Sequence, residues 1–445
     1  MSQRLEPGGS LPSIDRLQVE RLDGTPFPSP LDRPGRRWVG EDERVLLACT
    51  TTELDSDGAT PPSFEMAGPR PRLAFDPAQT RCALVTCGGL CPGLNDVVRS
   101  ITLTLRHGYG VDEVRGYRYG YSGLAPGRPA EPIDLTPELV ESLHERGGTI
   151  LGSSRGARDV AEMVDTLVAE GIDVLFTIGG DGTLAGAQAL ATEIARRSLR
   201  IAVVGVPKTI DNDIAWIERS FGFATAVEEA SQAILAAHAE ARGAWNGIGL
   251  VKLMGRHSGF IAAHASLASS DVNFCLVPEV PFELDGPKGL LAALERRLDE
   301  RHHAVVVVAE GAAQELMQTS GSAGTDPSGN VRLGDVGPFL KKAIVQHFAG
   351  RGTDVTLKYI DPSYIIRSLP ANSIDSEYCQ ILGQHAVHAA MAGRTNLLVG
   401  YWNRHFTHVP ISLVAGRRKQ LDPQGEIWPR VLGSTGQPPS MVSSA

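Results

Sequence analysis

The chain has 445 residues, of which 42% are hydrophobic and 21% charged; these ordinary values exclude a wholly disordered or fibrous protein. At roughly 100–200 residues per domain, two or three domains are expected. Lys and Arg total 42 against 51 Asp and Glu, a net charge of −9, so no basic excess points to nucleic acid. No apolar run approaches the ~20 residues of a membrane helix, and no membrane partner is expected.

Residues 1–75 are expected to form an N-terminal extension, largely irregular. Its first 62 positions are rich in Pro, Gly, Ser and charge (TPFPSPLDRPGRR, DSDGATPPS) and show no sustained period of 2 or 3.6. From about residue 80 a unit repeats: a short apolar run, a polar or glycine-rich loop, then often an amphipathic helix. Ala83–Cys87 leads into Gly88–Gly93 and a helix to about His107. Asp173–Ile178 leads into Gly179-Gly180-Asp181-Gly182-Thr183 and a helix to about Ala195. Ile201–Val206 leads into Pro207-Lys208-Thr209-Ile210-Asp211-Asn212-Asp213. Ile248–Leu253 leads into Met254-Gly255-Arg256 and a helix from Ser258. Phe274–Val277 leads into Pro278-Glu279, and Ala304–Ala309 into Glu310-Gly311. Residues 416–445 are expected to be a C-terminal segment ending in a flexible tail (GSTGQPPSMVSSA).

Continuous apolar strands are what parallel sheets bury on both faces. The repetition predicts an α/β protein of two doubly wound Rossmann-like domains, with the active site in the cleft between them. Ligands of such folds bind outside the carboxyl ends of the strands, where every polar motif above falls. The first domain is expected over 76–222 plus about 366–415 and the second over 223–365.

Gly179–Thr183 lets backbone amides approach a phosphate at a helix N-terminus, and Asp181 could hold Mg²⁺ between phosphates. The alternative is an ordinary strand–helix turn with Asp181 as a cap. NAD kinases and lipid kinases also carry a GGDGT loop. Lys208–Asp213 gathers an ammonium, a hydroxyl, an amide and two carboxylates. That set could activate a hydroxyl, since one Asp acting as base needs a nearby cation to keep the charges tolerable; the alternative is a polar turn. Gly88–Gly93 could cradle phosphate, or be a plain turn. Arg155, within Gly152–Gly156, and Arg256 offer forked cations that suit phosphate. Lys358, Tyr364 and Arg367 add donors. The histidines show no metal-ligand spacing. Six cysteines without a CxxC pair read as buried thiols in a reducing cytosol, so a cytoplasmic location is expected.

Taken in order, TCGGLCPGLN, ILGSSRG, IGGDGT, VPKTIDND, FGFATAVEEA, KLMGRHSGF, VPEVPF, VVVAEGA and KYIDPSYIIR closely resemble the 6-phosphofructokinase family. The match runs from about Phe64 to Pro410, with the flavour of the plant-type ATP-dependent group. The resemblance implies an enzyme that phosphorylates fructose 6-phosphate at its C1 hydroxyl with ATP and Mg²⁺, as a homo-oligomer, dimer or tetramer. Gly89, Arg155, Gly156, Gly180, Asp181, Gly182 and Thr183 would bind ATP, with Asp181 on the metal. Asp211 would be the general base, with Thr209, Asp213 and Lys208 assisting. Thr209, Ile210, Asp211, Met254, Gly255, Arg256, Glu310, Lys358, Tyr364 and Arg367 would hold the sugar phosphate.

Two positions in the resemblance bear on the donor. Pyrophosphate users carry Asp where this chain has Gly182, and that carboxylate would exclude the α-phosphate of ATP. Lys208 is shared with pyrophosphate users, and the Gly182/Lys208 pair is that of plant-type and trypanosomatid ATP enzymes. ATP is therefore the expected donor and pyrophosphate the alternative. A non-catalytic regulatory paralogue is disfavoured because Asp181, Asp211 and Asp213 are all in place. Gly247 and Lys358 stand where bacterial enzymes reach a neighbour's substrate with arginines, and Tyr364 replaces a histidine. Arg99 matches one bacterial effector arginine, but Leu103 stands at its partner's place.

Overall fold

The computed structural model describes residues 12–32, 35–50, 61–317, 324 and 332–443. Thirteen strands make two sheets. The first sheet uses β1 (Arg44–Leu46), β2 (Ser63–Met66), β3 (Arg81–Thr86), β4 (Glu113–Tyr117), β5 (Ile133–Asp134), β6 (Val174–Gly179) and β7 (Ala202–Pro207). The second uses β8 (Gly247–Leu253), β9 (Phe274–Leu276), β10 (His303–Ala309) and β11 (Thr356–Ile360), after which β12 (Leu397–Trp402) and β13 (His405–Pro410) return to the first. The main helices are α1 (Leu94–Leu103), α2 (Val160–Ala169), α3 (Asp181–Arg196), α4 (Phe223–Arg242), α5 (Phe260–Ser269), α6 (Leu290–Arg301), α7 (Val336–Gly350), α8 (Ser363–Ser368), α9 (Ser373–Met391) and α10 (Ile427–Thr435).

The large sheet runs β1-β2-β13-β12-β7-β6-β3-β4-β5. Its centre is parallel and both edges are antiparallel. The small sheet, β9-β10-β8-β11, is wholly parallel. Each sheet has a core on both faces, as the unbroken apolar strands require. Along β6, Val174, Phe176 and Ile178 enter one core and Leu175 the other. Along β10, Val305, Val307 and Ala309 alternate with Ala304, Val306 and Val308 in the same way.

Register then sets the site. Pro207 pairs with Gly179 and Thr86 with Ile178, so β3, β6 and β7 end level and release their loops side by side. Leu253 pairs with Ala309, so the loops after β8 and β10 do the same in the second sheet.

Both terminal regions pack against the sheets. Within the extension, β1 and β2 continue the large sheet antiparallel on β13. The signal is masked because Glu65, at the buried face of β2, is charged. Its carboxylate accepts from Arg70, Arg394 and Arg21, at 3.1, 2.9 and 2.8 Å, and lies 3.1 Å from His408 Nδ1. Residues 1–11, 33–34 and 51–60 of the extension lie outside the described residues. The stretch expected to end as a flexible tail packs on the small sheet as far as Met441. α10 buries Trp428 and Val431 in the small-sheet core. Gln437 then pairs with edge strand β9 through its amide, accepting from the Cys275 N–H at 2.6 Å and donating to its carbonyl at 3.3 Å. Met441 is buried against Phe282 and Leu290. A Pro/Ser/Gly-rich stretch hides this because much of the holding is done by an amide and by backbone, the Glu283 N–H donating to the Met441 carbonyl at 2.9 Å.

Candidate active site

The loop after β7 is compact because it satisfies itself. Asn212 has φ 54, a conformation that Asn tolerates better than most residues. Its side chain accepts from the Ser220 N–H at 3.0 Å and donates to the Glu218 carbonyl at 3.2 Å. Thr209 Oγ1 donates to Asp213 Oδ1 at 2.6 Å and accepts from the Asp211 N–H at 3.2 Å. Ser220 Oγ donates to the Thr209 carbonyl at 2.6 Å.

These bonds aim Asp211 at the second sheet. Its Oδ2 accepts from the Arg256 N–H at 3.4 Å, and Ser258 Oγ donates to its carbonyl at 3.2 Å. Its Oδ1 is buried with no hydrogen-bond partner among the described residues. Burial, with Asp213 and Glu310 nearby, raises its pKa to about 8, against the Arg256 N–H and Lys208, which lower it. Lys208 is itself buried, and that burial lowers its pKa.

The loop after β6 is open by comparison. Asp181 begins α3, with Gly180 as its cap. A Cβ at Gly182 would meet nothing within 4 Å, whereas one at Gly180 would lie 3.1 Å from the Lys208 carbonyl. Thr183 is buried, and its carbonyl accepts from the Tyr121 hydroxyl at 2.7 Å. Across from it a Cβ at Gly88 would lie 3.5 Å from Lys208 Nζ. One at Gly89 would lie 3.5 Å from Arg155 Nη2 and 3.9 Å from Arg367 Nη1. The first glycine loop is thus a floor under three cations. Arg155 and Gly156 are exposed beside it.

From the second sheet, Gly255 has φ 130, and any Cβ there would lie 2.4 Å from the Ser258 carbonyl; glycine is required for the turn that presents the Arg256 N–H. Glu310 follows β10, and burial raises its pKa while Arg367, Lys252 and Arg256 oppose the shift. Arg367 lies over the Tyr364 ring at 4.8 Å, and Tyr364 is 80% exposed.

Two expected substrate residues are not brought in by their side chains. Met254 is 4% exposed and packs in the small-sheet core; an apolar side chain following a buried strand continues its core face. Lys358 lies mid-strand on β11, paired in register with Gly249, and points to Glu240 at 3.8 Å. Glu240 is near the end of α4, so Lys358 sits away from the strand ends that carry the site.

A family model described as Phosphofructokinase matches residues 81–390. The chain belongs to the phosphofructokinase family. It is 49% identical to the ATP-dependent 6-phosphofructokinase of Borreliella burgdorferi over 410 residues, covering 91% of this chain and 92% of that one. It is 49% identical to the ATP-dependent 6-phosphofructokinase of Amycolatopsis methanolica over 440 residues, covering 96% and 95%. ATP-dependent 6-phosphofructokinase 7 of Arabidopsis thaliana is 48% identical, covering 97% and 90%. Among solved structures, the pyrophosphate-dependent phosphofructokinase from Marinobacter aquaeolei superposes with a TM-score of 0.65 at 22% identity, covering 77% and 86%; this likeness supports the fold.

Several supports of the site do not stand out in the sequence. Lys252 on β8 bridges Asp361 at 2.7 Å and Asp335 at 3.1 Å. Glu279 accepts from the Gly259 N–H at 2.9 Å and the Leu421 N–H at 2.8 Å. Lys419, far from every motif, is buried and donates to the Ile217 and Glu218 carbonyls at 2.7 and 3.2 Å. Lys252 and Glu279 sat inside quoted motifs and could have been found there. Lys419 carried no local signal.

Proposed function

We propose that this protein is an ATP-dependent 6-phosphofructokinase of glycolysis, transferring the γ-phosphoryl of ATP to the C1 hydroxyl of fructose 6-phosphate. The observation that carries the reading is Asp211: a buried carboxylate with one oxygen unpartnered, set between the loop after β6, where a Cβ on Gly182 would meet nothing within 4 Å, and a loop from the second sheet. Relatives of nearly equal length that bear the same activity in their names support it.

In this reading Asp211 takes the C1 hydroxyl proton as the new O–P bond forms and the bond to the β-phosphate oxygen breaks, releasing ADP. A base whose pKa lies near the working pH is efficient in both accepting and releasing the proton. Lys208, Arg155 and the Gly180–Thr183 amides would face the phosphates, where phosphoryl transfer needs charge neutralisation and in-line positioning. Arg256, Glu310, Tyr364 and Arg367 would grip the sugar phosphate, Gly255 and Ile210 shaping the passage. Asp213 and Thr209 keep the loop in place.

No group of three metal-ligating side chains occurs among the described residues. Asp181 alone suits Mg²⁺, which is usually held by one or two carboxylates with phosphate oxygens and water. Bound there, Mg²⁺ would neutralise charge between the phosphates. We also read the protein as a homo-oligomer, dimer or tetramer, and as cytoplasmic. No described helix is long and apolar enough to cross a membrane, and five of its six cysteines are buried.

A coupled assay with fructose 6-phosphate and Mg²⁺, run with ATP and pyrophosphate separately, tests the proposal. Turnover with ATP is expected. Turnover with pyrophosphate alone would overturn the donor, and ligand binding without turnover would make the chain a regulatory protein.

A further inference from the structure

The segment 416–421 runs between the two sheets and touches the donor and catalytic loops in turn. The Gly416 N–H donates to Asp181 Oδ1 at 2.9 Å. Arg418 forms an antiparallel bridge with Ile214, and the Lys419 N–H donates to the Asp213 carbonyl at 2.7 Å. The Lys419 ammonium donates to Ile217 and Glu218 and sits 5.2 Å from the centre of the Phe260 ring. The Leu421 N–H reaches Glu279. These backbone and lysine contacts hold the segment in place. The Arg418 side chain is left over from that task.

Its guanidinium lies 3.7 Å from Asp181 Oδ2. That is near enough to neutralise the carboxylate and too far for a hydrogen bond. The side chain is 30% exposed, beside a loop whose Gly182 has open space around it. A forked, permanently charged group with unspent donors at such a place suits phosphate oxygens.

We propose that Arg418 is a ligand of the phosphoryl donor, pairing with Asp181 in the empty protein and turning to the donor's phosphate oxygens when these enter. The proposal rests on the reading of the Gly180–Thr183 loop as a phosphate site. It holds for any di- or triphosphate donor, whether nucleotide or pyrophosphate.

Calorimetric titration of the full chain and of Arg418→Met and Arg418→Lys tests it. The probes are a non-hydrolysable ATP analogue with Mg²⁺, pyrophosphate with Mg²⁺, and fructose 6-phosphate. Losing one charge-assisted contact should weaken donor binding about tenfold or more in Arg418→Met. Arg418→Lys should recover part of the loss, and sugar phosphate affinity should stay within about twofold. Unchanged or tighter donor binding in Arg418→Met would overturn the proposal. So would equal weakening of donor and sugar with a lowered Tm, which marks a structural role. If the unmodified chain binds pyrophosphate and not the nucleotide, the ATP reading fails, and the pyrophosphate arm decides on Arg418 by the same criterion. Binding of neither by the unmodified chain would overturn both.

Discussion

The loops leaving β6 and β7 start level on neighbouring strands, yet they are built oppositely. After β7, side chains fill the space: Lys208 and Asn212 are buried, Asp213 is tied to Thr209, and Asp211 keeps an orphaned oxygen. After β6, space is left: Gly182 is exposed with nothing near it. The contrast separates two needs of phosphoryl transfer. A base must be tuned, and burial raises the pKa of Asp211, the base of the proposed reaction. A donor must be admitted, and admission needs room and amides rather than side chains.

The largest effect should come from the filled loop. Asp211→Asn keeps the shape and removes the proposed base, so kcat should fall about 10³-fold, within the range for losing a general base. KM for the donor should stay within about threefold, because the donor loop is untouched. A kcat within tenfold of the original would remove Asp211 from the base role and dissolve the contrast.

The open loop should answer in affinity and selectivity. Gly182→Asp adds a side chain that meets no protein atom within 4 Å at its Cβ, so Tm should barely move. The new carboxylate would face incoming phosphates, where like-charge juxtaposition costs several kcal/mol. kcat/KM for ATP should drop roughly 100-fold, with pyrophosphate turnover reduced less or gained. Equal loss with both donors would mean that Gly182 guards no space specific to the nucleotide.

Titration sharpens the comparison further. Asp211 has a raised pKa in the folded chain, so folding favours its protonated form. Its contribution to stability is present below the usual carboxylate value. It is lost as pH rises through the folded value, because the unfolded chain ionises first. Asp211→Asn does not titrate. Its Tm advantage over the unmodified protein should therefore be small near pH 4–5 and grow, by about 2 °C or more, towards pH 8. An advantage that is flat with pH would show that burial does not hold the proton on Asp211.

Much of the candidate site's placement at the strand ends was legible in the sequence, for a physical reason. Strands buried on both faces must be apolar without interruption, so β6, β7, β8 and β10 end where polarity begins, and the motifs start there. What failed to show was of three kinds. Met254 belongs to a motif by position, but its side chain answers to the core. Glu65 is a charge where a strand face should be apolar, and only its three arginines and His408 make it tolerable. The 416–421 segment meets Asp181 across 235 positions, and no period or spacing can announce a contact of that range.

The smallest expected effect separates a polar group buried for architecture from one buried for chemistry. Gln437 gives edge strand β9 both a donor and an acceptor, as a neighbouring strand would. Gln437→Leu keeps the bulk and leaves the Cys275 N–H and carbonyl without it, and an unsatisfied buried backbone group costs about 1–3 kcal/mol. Tm should fall by about 2–6 °C, in line with a domain of this size. The edge lies on the far side of β10 from β8, and the loops carrying Asp211 and Asp181 belong to the other sheet. kcat and both KM values should therefore stay within about twofold at a temperature well below the transition. A fall in kcat without a fall in Tm would make Gln437 and its edge strand part of the catalytic machinery. It would also mean that the two sheets are coupled through more than the loops between them.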